Sequence, residues 1–560
     1  MTTKTSIRIP GAVPALWLVM VAAITMACAS VSEPVSPLDQ GQAAAPKAQR
    51  VVLLLNPPPT ESNDIRKICC FDIGAMRPMY ENLIGYEATL GKLIPQLADA
   101  WNLESTGTSF RFRLHKGVEF SRGYGEFTAK DVEHSVRDLV DAIPNTHALA
   151  TWWKEAVRSV EVINSHEVVF HLNPNSSFME YVSEIGGMMP IRSLAQREKE
   201  GDPGENPAKP VAGTGPYDFV ERATGVSVRY ARAPNKHWRV TPDFPELEFR
   251  WSREASSRFA ALLTGEAHIT TVPDDMLPQA ERAGMKLIQG KVPGTRAWGA
   301  WVCCNRTETG DYYRDNSSPL LNVKVRQALN KAIDRDALQK AFFPKGERMY
   351  INNMYQSWPG WDPSWERRFN DLYGYDPEVA RRLLAEAGYG PSNPLKTNLA
   401  IRPSVVIPNA PDVTEAIAGS WRAVGVDVAM IQRDTATQQA EIRAFRWTNH
   451  VFIEASSTHQ LSAWVNRASD LNTFPRAGTA AYFDAGTNRV NTLVQRELDG
   501  SKQAPLMRDL AEQMFTKFGS IPLFFVPVEA VVNPQFIAGW TFPGPAFGTW
   551  THTEFIKAAR

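Results

Sequence analysis

The 560-residue chain lacks the short patterns that carry familiar catalytic chemistry, because it contains no HExxH, GxSxG, CxxC or P-loop sequence. Its ten histidines are scattered along the chain. An activated nucleophile or a zinc centre would need such residues at fixed spacing. We therefore predict a protein that is not an enzyme and that has no cofactor or resident metal.

An excess of charge of one sign is also missing. Lysine plus arginine and aspartate plus glutamate number 60 each, which gives a formal net charge of +0 at pH 7. Binding of nucleic acid or of an anionic membrane surface relies on a strongly basic surface. The balanced charge argues against both as partners.

After the N-terminal segment, no apolar stretch of the sequence reaches the ~18 residues that a membrane span needs. Residues 1–28 have the basic start, apolar core and small residues of an export signal. Cys28 follows Thr25-Met26-Ala27, which partly resembles a bacterial lipoprotein site, but Ala27-Cys28-Ala29 also fits ordinary cleavage. We predict a chain in the periplasm or on the outer face of the cytoplasmic membrane, and lipidation of Cys28 stays open.

Cysteine is scarce, and four of the five residues form two adjacent pairs, Cys69-Cys70 and Cys303-Cys304. Thiols oxidise outside the cytoplasm. Neighbouring residues in a strand point to opposite faces, so one cysteine of each pair can meet the other pair, whereas a bond within a pair strains the backbone. We favour such a disulfide, or buried thiols, over a metal site, whose usual CxxC spacing is absent.

The remaining chain predicts a mixed α/β protein with several lobes. Residues 29–49, rich in Ser, Pro, Gln and Ala, have the composition of a flexible tether. Val51 to Leu55 is an apolar run typical of a buried strand. Helices are predicted to begin after Thr128, Asn322 and Asp376, each followed by a regular apolar stripe.

Several short segments follow one another along the chain in a characteristic order. They include Tyr80-Glu81-Asn82-Leu83, Gly213-Thr214-Gly215-Pro216-Tyr217, Asn235-Lys236-His237-Trp238, Val325-Arg326-Gln327-Ala328-Leu329 and Ile521-Pro522-Leu523. In this order they resemble the family 5 extracellular solute-binding proteins, the dipeptide, oligopeptide and nickel-binding components of bacterial ABC importers. The resemblance covers about residues 50 to 540. The residues of most of these segments are typical of structural elements that support the fold, such as a tight turn at Gly213 and Gly215.

The resemblance implies a two-lobe periplasmic-binding-protein fold of class II type, with an extra subdomain on the first lobe. The implied ranges are 50–293 and 512–560 for lobe I, 76–188 for its subdomain and 294–511 for lobe II. It implies a monomer that captures a peptide or similar polar solute between the lobes and delivers it to a permease and an ATPase. An exported α/β hydrolase and a sensor or chaperone lipoprotein of the same fold are the alternatives.

Candidate binding residues come from the first crossing between the lobes and from residues 450–459. Peptide-binding relatives carry an Asp in the second region that pairs with the amino group of the ligand, but here Glu454 is the single carboxylate. A buried ammonium needs a paired anion. This departure predicts a solute held mainly by aromatic faces, hydroxyls and backbone groups. The candidate residues are Trp298, Trp301, Asn305, Glu454, Ser456, Ser457 and His459.

Overall fold

Two β-sheets, each assembled from distant parts of the chain, organise the computed structural model of the protein. The structure describes residues 48–58, 60–67, 74–88, 93–104, 108–141, 153–154, 156–173, 189–201, 206, 208–290, 295–302, 305–308, 311–314, 318–352, 354–356, 359–401, 409–432, 449–457, 485–497, 500–543 and 550–560. The predicted signal sequence and Cys28, nearly all of the tether, the two cysteine pairs and His459 lie outside these residues.

The strands of the described residues are numbered in chain order. They are β1 (Arg50–Leu55), β2 (Ile84–Tyr86), β3 (Leu93–Pro95), β4 (Ala98–Leu103), β5 (Ser109–Leu114), β6 (Val157–Asn164), β7 (Glu167–Leu172), β8 (Tyr217–Ala223), β9 (Ser227–Arg232), β10 (Glu246–Trp251), β11 (Ile269–Thr270), β12 (Lys286–Gln289), β13 (Thr295–Val302), β14 (Asn305–Glu308), β15 (Asp311–Arg314), β16 (Glu347–Arg348), β17 (Lys396–Ile401), β18 (Asp427–Gln432), β19 (His450–Ser457), β20 (Ile521–Val526), β21 (Glu529–Val532), β22 (Ile537–Gly539) and β23 (Lys557–Ala558).

The helices of the same residues are numbered likewise. They are α1 (Ala129–Val140), α2 (Leu194–Glu200), α3 (Ala255–Thr264), α4 (Leu277–Arg282), α5 (Val323–Lys331), α6 (Arg335–Phe342), α7 (Ser364–Tyr373), α8 (Pro377–Glu386), α9 (Ala410–Ala423), α10 (Ala485–Arg496) and α11 (Gly500–Thr516). None of them is both long and apolar enough to span a bilayer.

The first sheet has seven strands in the order β12-β21-β11-β1-β10-β9-β8. The central strand β1 pairs in parallel with β10 and β11, and Leu53 lies opposite Phe249 and Ile269. All three side chains are buried. A central parallel strand that is covered on both faces needs a continuous apolar run, so the buried strand predicted at residues 51–55 is confirmed.

A four-stranded antiparallel sheet, β4-β5-β7-β6, adds a layer to the first sheet together with helix α1. The predicted capping box of α1 is confirmed, since the backbone N–H of Thr128 donates to the Asp131 carboxylate at 2.8 Å. Val132 and Val136 of α1 are buried in the hydrophobic cluster that also contains Val51 of β1. The added layer therefore shares the core of the first sheet. We call these parts, described residues 48–290 and 528–560, the first lobe.

The second sheet has six strands in the order β16-β20-β13-β19-β17-β18. One of its faces packs against α5, α6, α8 and α9, and the other packs against α7, α10 and α11. Along β19, Val451 and Ile453 belong to the first of these clusters and Phe452 to the second. Both faces are thus covered by helices. This part, described residues 295–526, is the second lobe.

The predicted starts of α5 and α8 are confirmed by their caps. The Asn322 amide oxygen accepts from Lys324 N–H, and the Asp376 carboxylate accepts from Val379 N–H, both at 2.9 Å. Past the other end of α8, Gly388 has a φ of +90°, a conformation that favours glycine. Local sequence therefore fixed these helix ends.

The chain crosses between the lobes twice, from β12 to β13 and from β20 to β21. The crossings lie side by side, because β12 pairs with β21 in the first sheet and β13 pairs with β20 in the second. The predicted boundary at residue 512 is wrong. Strand β20 belongs to the second sheet, where Ile521 and Leu523 are buried in its core, so the second crossing lies at residues 527–528.

Candidate functional site

Strands β13 and β19 bring four of the predicted binding positions together. They pair in antiparallel register, with Trp298 opposite Glu454, Arg296 opposite Ser456 and Thr295 opposite Ser457. Directly opposed residues in such a ladder have Cα atoms about 4.5–5.5 Å apart. The first residue of β13, Thr295, follows the first crossing, so this end of the ladder lies next to the connection between the lobes.

The alternation of the strands assigns these positions to faces of the second sheet. Ala297 and Trp301 lie in the cluster with α5 and α9, so position 298 is on the opposite face. On β19, position 454 shares a face with Phe452, whose side chain belongs to the cluster with α7 and α11. Positions 298, 454 and 456 therefore share one face, and position 457 lies on the other.

Trp301 does not belong to the predicted binding site. Its side chain is fully buried in the core of the second lobe, and its indole N–H donates to the Phe518 carbonyl oxygen at 2.8 Å. Both its apolar surface and its only polar hydrogen are thus used within the lobe. The prediction that Trp301 lines the cleft is therefore wrong, and Trp301 stabilises the second lobe instead.

The other predicted residues are not brought together with this ladder. Asn305 begins β14, which pairs with β15 in a separate two-stranded sheet, opposite Arg314. His459 and the two cysteine pairs lie outside the described residues. Their predicted roles stay predictions.

Arg296 was missed by the sequence reasoning. It occupies the position opposite Ser456 and shares a face of β13 with Trp298, two residues away. The signal was available, because residues at a spacing of two in a strand lie on the same face. The structure thus places a cationic, an aromatic, an acidic and a hydroxyl residue at neighbouring positions of one face.

Close packing across β13 explains a glycine next to the site. A Cβ atom on Gly299 would lie 2.7 Å from the Ile521 side chain on β20. The register of these strands shifts beside Trp298, where β20 has one extra residue. Gly299 therefore lets β20 lie tightly against the strand that carries the candidate binding positions.

Two buried arginines fix β20 in that place. Arg335 Nε donates to the carbonyl oxygen of Pro522, the register partner of Trp298, at 2.8 Å. Arg326 Nε donates to the carbonyl oxygens of Lys517 and Phe518 at 3.1 and 3.2 Å. Burial lowers the pKa of Arg335 to about 9. Arg326 therefore anchors its helix, α5, to the segment that leads into β20, and both arginines stabilise the second lobe.

A polar cavity of about 520 Å³ lies elsewhere, against α1 and α2 of the first lobe. Its lining includes Arg137, Asp138 and His134. Burial lowers the pKa of His134 to about 4, although Asp138 acts in the opposite direction. None of the lining residues belongs to β13 or β19, so this cavity is separate from the candidate site.

Two lobes joined by two crossings whose flanking strands are paired, with candidate binding positions beside those crossings, define a two-lobe solute-binding protein of the periplasmic type. Residues 92–471 match the family described as bacterial extracellular solute-binding proteins, family 5 Middle. The chain belongs to this family, and it is the solute-binding component of an ABC importer.

Individual relatives agree with this assignment. Heme-binding protein A of Haemophilus influenzae is 26% identical over 398 residues, which cover 67% of this chain and 68% of that protein. The dipeptide-binding protein of Escherichia coli is 26% identical over 422 residues, 71% and 72% of the two chains. The solved structure of HbpA2 from Haemophilus parasuis has a TM-score of 0.73 at 22% identity, covering 91% of this chain and 99% of that one.

Proposed function

We propose that the protein captures a short peptide, or a polar solute of similar size, between its lobes and presents it to the membrane permease. The observation that carries this proposal is the set of positions Arg296, Trp298, Glu454 and Ser456 on one face beside the crossings. A peptide offers a carboxylate, an ammonium, amides and apolar side chains. Each has a chemical counterpart among these four residue types.

Arg296 changes what can be expected of Glu454. Arg296 and Glu454 occupy diagonal positions on the same face of this ladder, at a spacing of about 7–8 Å at which opposite formal charges offset each other in part. The ammonium group of the solute then contributes less to the affinity than it would beside a carboxylate with no cation near it. We propose that the anionic end of the solute, which Arg296 can bind through two parallel hydrogen bonds, contributes more to affinity than its amino end.

Heme is the alternative solute, because one of the relatives is named Heme-binding protein A. A planar ring system would use Trp298 by stacking, and its propionates would use Arg296. We favour the peptide because dipeptide-binding and di/tripeptide-binding proteins recur among the relatives.

Further proposals concern the whole protein. We propose that it is made with a cleaved signal, that it acts outside the cytoplasm as a monomer, with Cys28 as the candidate lipid anchor, and that it has no catalytic activity of its own. The family is one of extracellular binding proteins, which supports this location. Intact-mass analysis of the exported protein decides between the two N-termini, since lipidation adds a diacylglycerol mass to Cys28.

The test of function is native mass spectrometry after incubation with a dipeptide and tripeptide library, with hemin in a separate sample. We expect retention of peptides. For a retained dipeptide, calorimetry then compares the free, N-acetylated and C-terminally amidated forms. Amidation should weaken binding about 10-fold to 100-fold, the range for one lost charged hydrogen bond, and acetylation should weaken it by less.

The control is a matched arginine far from the site. Arg296→Met should remove the preference for a free carboxylate, whereas Arg229→Met, on β9 of the first lobe, should leave it unchanged. Retention of hemin and of no peptide would identify heme as the solute in place of a peptide. Retention of neither would contradict the proposal, and a large loss on acetylation that disappears in Glu454→Gln would restore the usual recognition of the amino group.

A further inference from the structure

Lys345 lies on a rigid turn of the second lobe, between α6 and β16. The backbone N–H of Gly346 donates to the Phe343 carbonyl oxygen at 2.8 Å, and the Gln339 side chain donates to the Gly346 carbonyl oxygen at 2.7 Å. The Phe343 ring packs against Phe524 of β20, with centroids 4.9 Å apart. The turn that carries Lys345 therefore moves with the second sheet.

The ammonium group of Lys345 reaches two carboxylates of the first lobe. Its Nζ lies 2.7 Å from Glu529 Oε2 and 3.1 Å from Asp274 Oδ1. Glu529 is the first residue of β21, directly after the second crossing, and pairs with Gln289 at the end of β12. Asp274 belongs to a short 3₁₀ turn that follows β11. One lysine of the second lobe thus bridges two separate elements of the first.

This ion cluster is partly buried on the side of Glu529, whereas the Asp274 side chain is 59% exposed. The Glu529 side chain is only 16% exposed, and that of Lys345 is 35% exposed. Partial burial by itself lowers the pKa of Lys345, but the hydrogen bonds that it donates to Glu529 and Asp274 outweigh this effect and raise that pKa above its usual value. The lysine remains charged across the physiological range.

We propose that Lys345 is a positioning residue for solute capture, which holds the two lobes in the relative arrangement described here through Asp274 and Glu529. Lobe closure around a solute is a rotation of the lobes about the two crossings. A charged bridge beside the crossings that is made in one relative arrangement of the lobes biases the populations of open and closed protein without contacting the solute.

The size of this bias follows from the strength of partly exposed ion pairs. Such pairs change an equilibrium by a factor of about 1.4 to 5. A solute that binds one arrangement sees its apparent affinity scaled by the population of that arrangement. Lys345 should therefore tune apparent affinity by the same factor, although it lies outside the binding positions.

The test is small-angle X-ray scattering of the solute-free protein at about 10 mM and about 1 M NaCl, where the screening length falls from about 30 to 3 Å. We expect the radius of gyration of the wild type to change with salt. Lys345→Met should already show the high-salt value at low salt and respond no further, whereas Lys345→Arg should behave as the wild type.

Two further variants separate the bridge from loss of charge or stability. Lys340→Met removes an exposed lysine of α6 and should scatter as the wild type. Reversal of all three charges, in Lys345→Glu with Asp274→Lys and Glu529→Lys, should restore the salt response. Identical scattering of Lys345→Met and wild type at both salt concentrations would refute the proposal, as would an equal effect of Lys340→Met. The proposal rests on capture between the lobes, but this measurement contains no solute, so it can fail while the proposed function stands.

Discussion

Glu81 is fully buried at a point where three parts of the first lobe meet, and its replacement tests how they are held together. Its Oε2 accepts from Trp238 Nε1 at 3.1 Å, and its Oε1 accepts from Arg239 Nε at 2.9 Å. Arg239 Nη2 in turn donates to Glu554 at 3.1 Å, near the end of the chain. One carboxylate thus joins the segment after β1 to the C-terminus through Arg239.

Glu81→Gln keeps the size of the side chain but loses one of these two hydrogen bonds. Because both oxygens accept from different donors, the amide nitrogen of glutamine faces a donor in either orientation. Arg239 also loses one of its two buried carboxylate partners. Removing one partner of a buried pair costs about 3–5 kcal/mol, so we expect the free energy of unfolding to fall by about that amount.

Urea denaturation followed by tryptophan fluorescence measures this loss. Glu221→Gln is the matched control, because Glu221 accepts from Arg229 Nε at 2.8 Å, nearly the same distance, but is 58% exposed. We expect the control to lose no more than about 1 kcal/mol. Equal losses in the two variants would refute the argument that burial makes the Glu81 pair important.

Two further predictions concern acid stability and packing. Burial, with help from the charge of Arg250, lowers the pKa of His268 from 6.5 to about 4, and its Nδ1 accepts from the Val52 N–H. Because the pKa of His268 is lower in the folded than in the unfolded protein, the free energy of unfolding is highest above about pH 6.5 and falls by about 3 kcal/mol by pH 4 as the unfolded state takes up the proton. In urea titrations at several pH values, His268→Asn should lose less stability between pH 6.5 and pH 4 than the wild type. The same dependence on pH in both proteins would contradict this prediction. Gly299→Ala should lower the free energy of unfolding by about 1–3 kcal/mol through the clash with Ile521, and should lower it by less when it is introduced into the Ile521→Ala variant. An equal loss in both backgrounds, measured by urea denaturation, would show that the clash is elsewhere.

Local features of the fold could be predicted from the sequence. The caps at Thr128, Asn322 and Asp376 act within three residues of each helix start, so nearby residues suffice to identify them. The order of the family-like segments identified the fold. Part of the physical reason for these segments is visible only in the structure. Glu81 and Trp238 come from two of them, and the Trp238 indole N–H donates a hydrogen bond to the Glu81 carboxylate.

Long-range features could not be predicted in the same way. The apolar sequence of β20 marks a buried strand, but nothing in it tells which of two sheets it joins. Trp298 and Trp301 are three residues apart, an odd spacing that already places them on opposite faces of a strand. Which face is the core depends on the packing of α5 and α9, which the spacing does not contain. The sequence alone therefore did not show which of the two tryptophans belongs to the core.

The placement of β21 between β12 and β11 has a consequence for how the chain acquires its structure. Its two neighbours are made by residue 289, but β21 begins at Glu529 of the 560-residue chain. Until then the emerging first lobe presents two unpaired strand edges, while the entire second lobe is synthesised between them. Pairing across such a separation is slow, and exposed edges invite aggregation. The first sheet thus stays incomplete until synthesis of the chain is nearly finished, and its two open edges can pair with other strands until β21 is added.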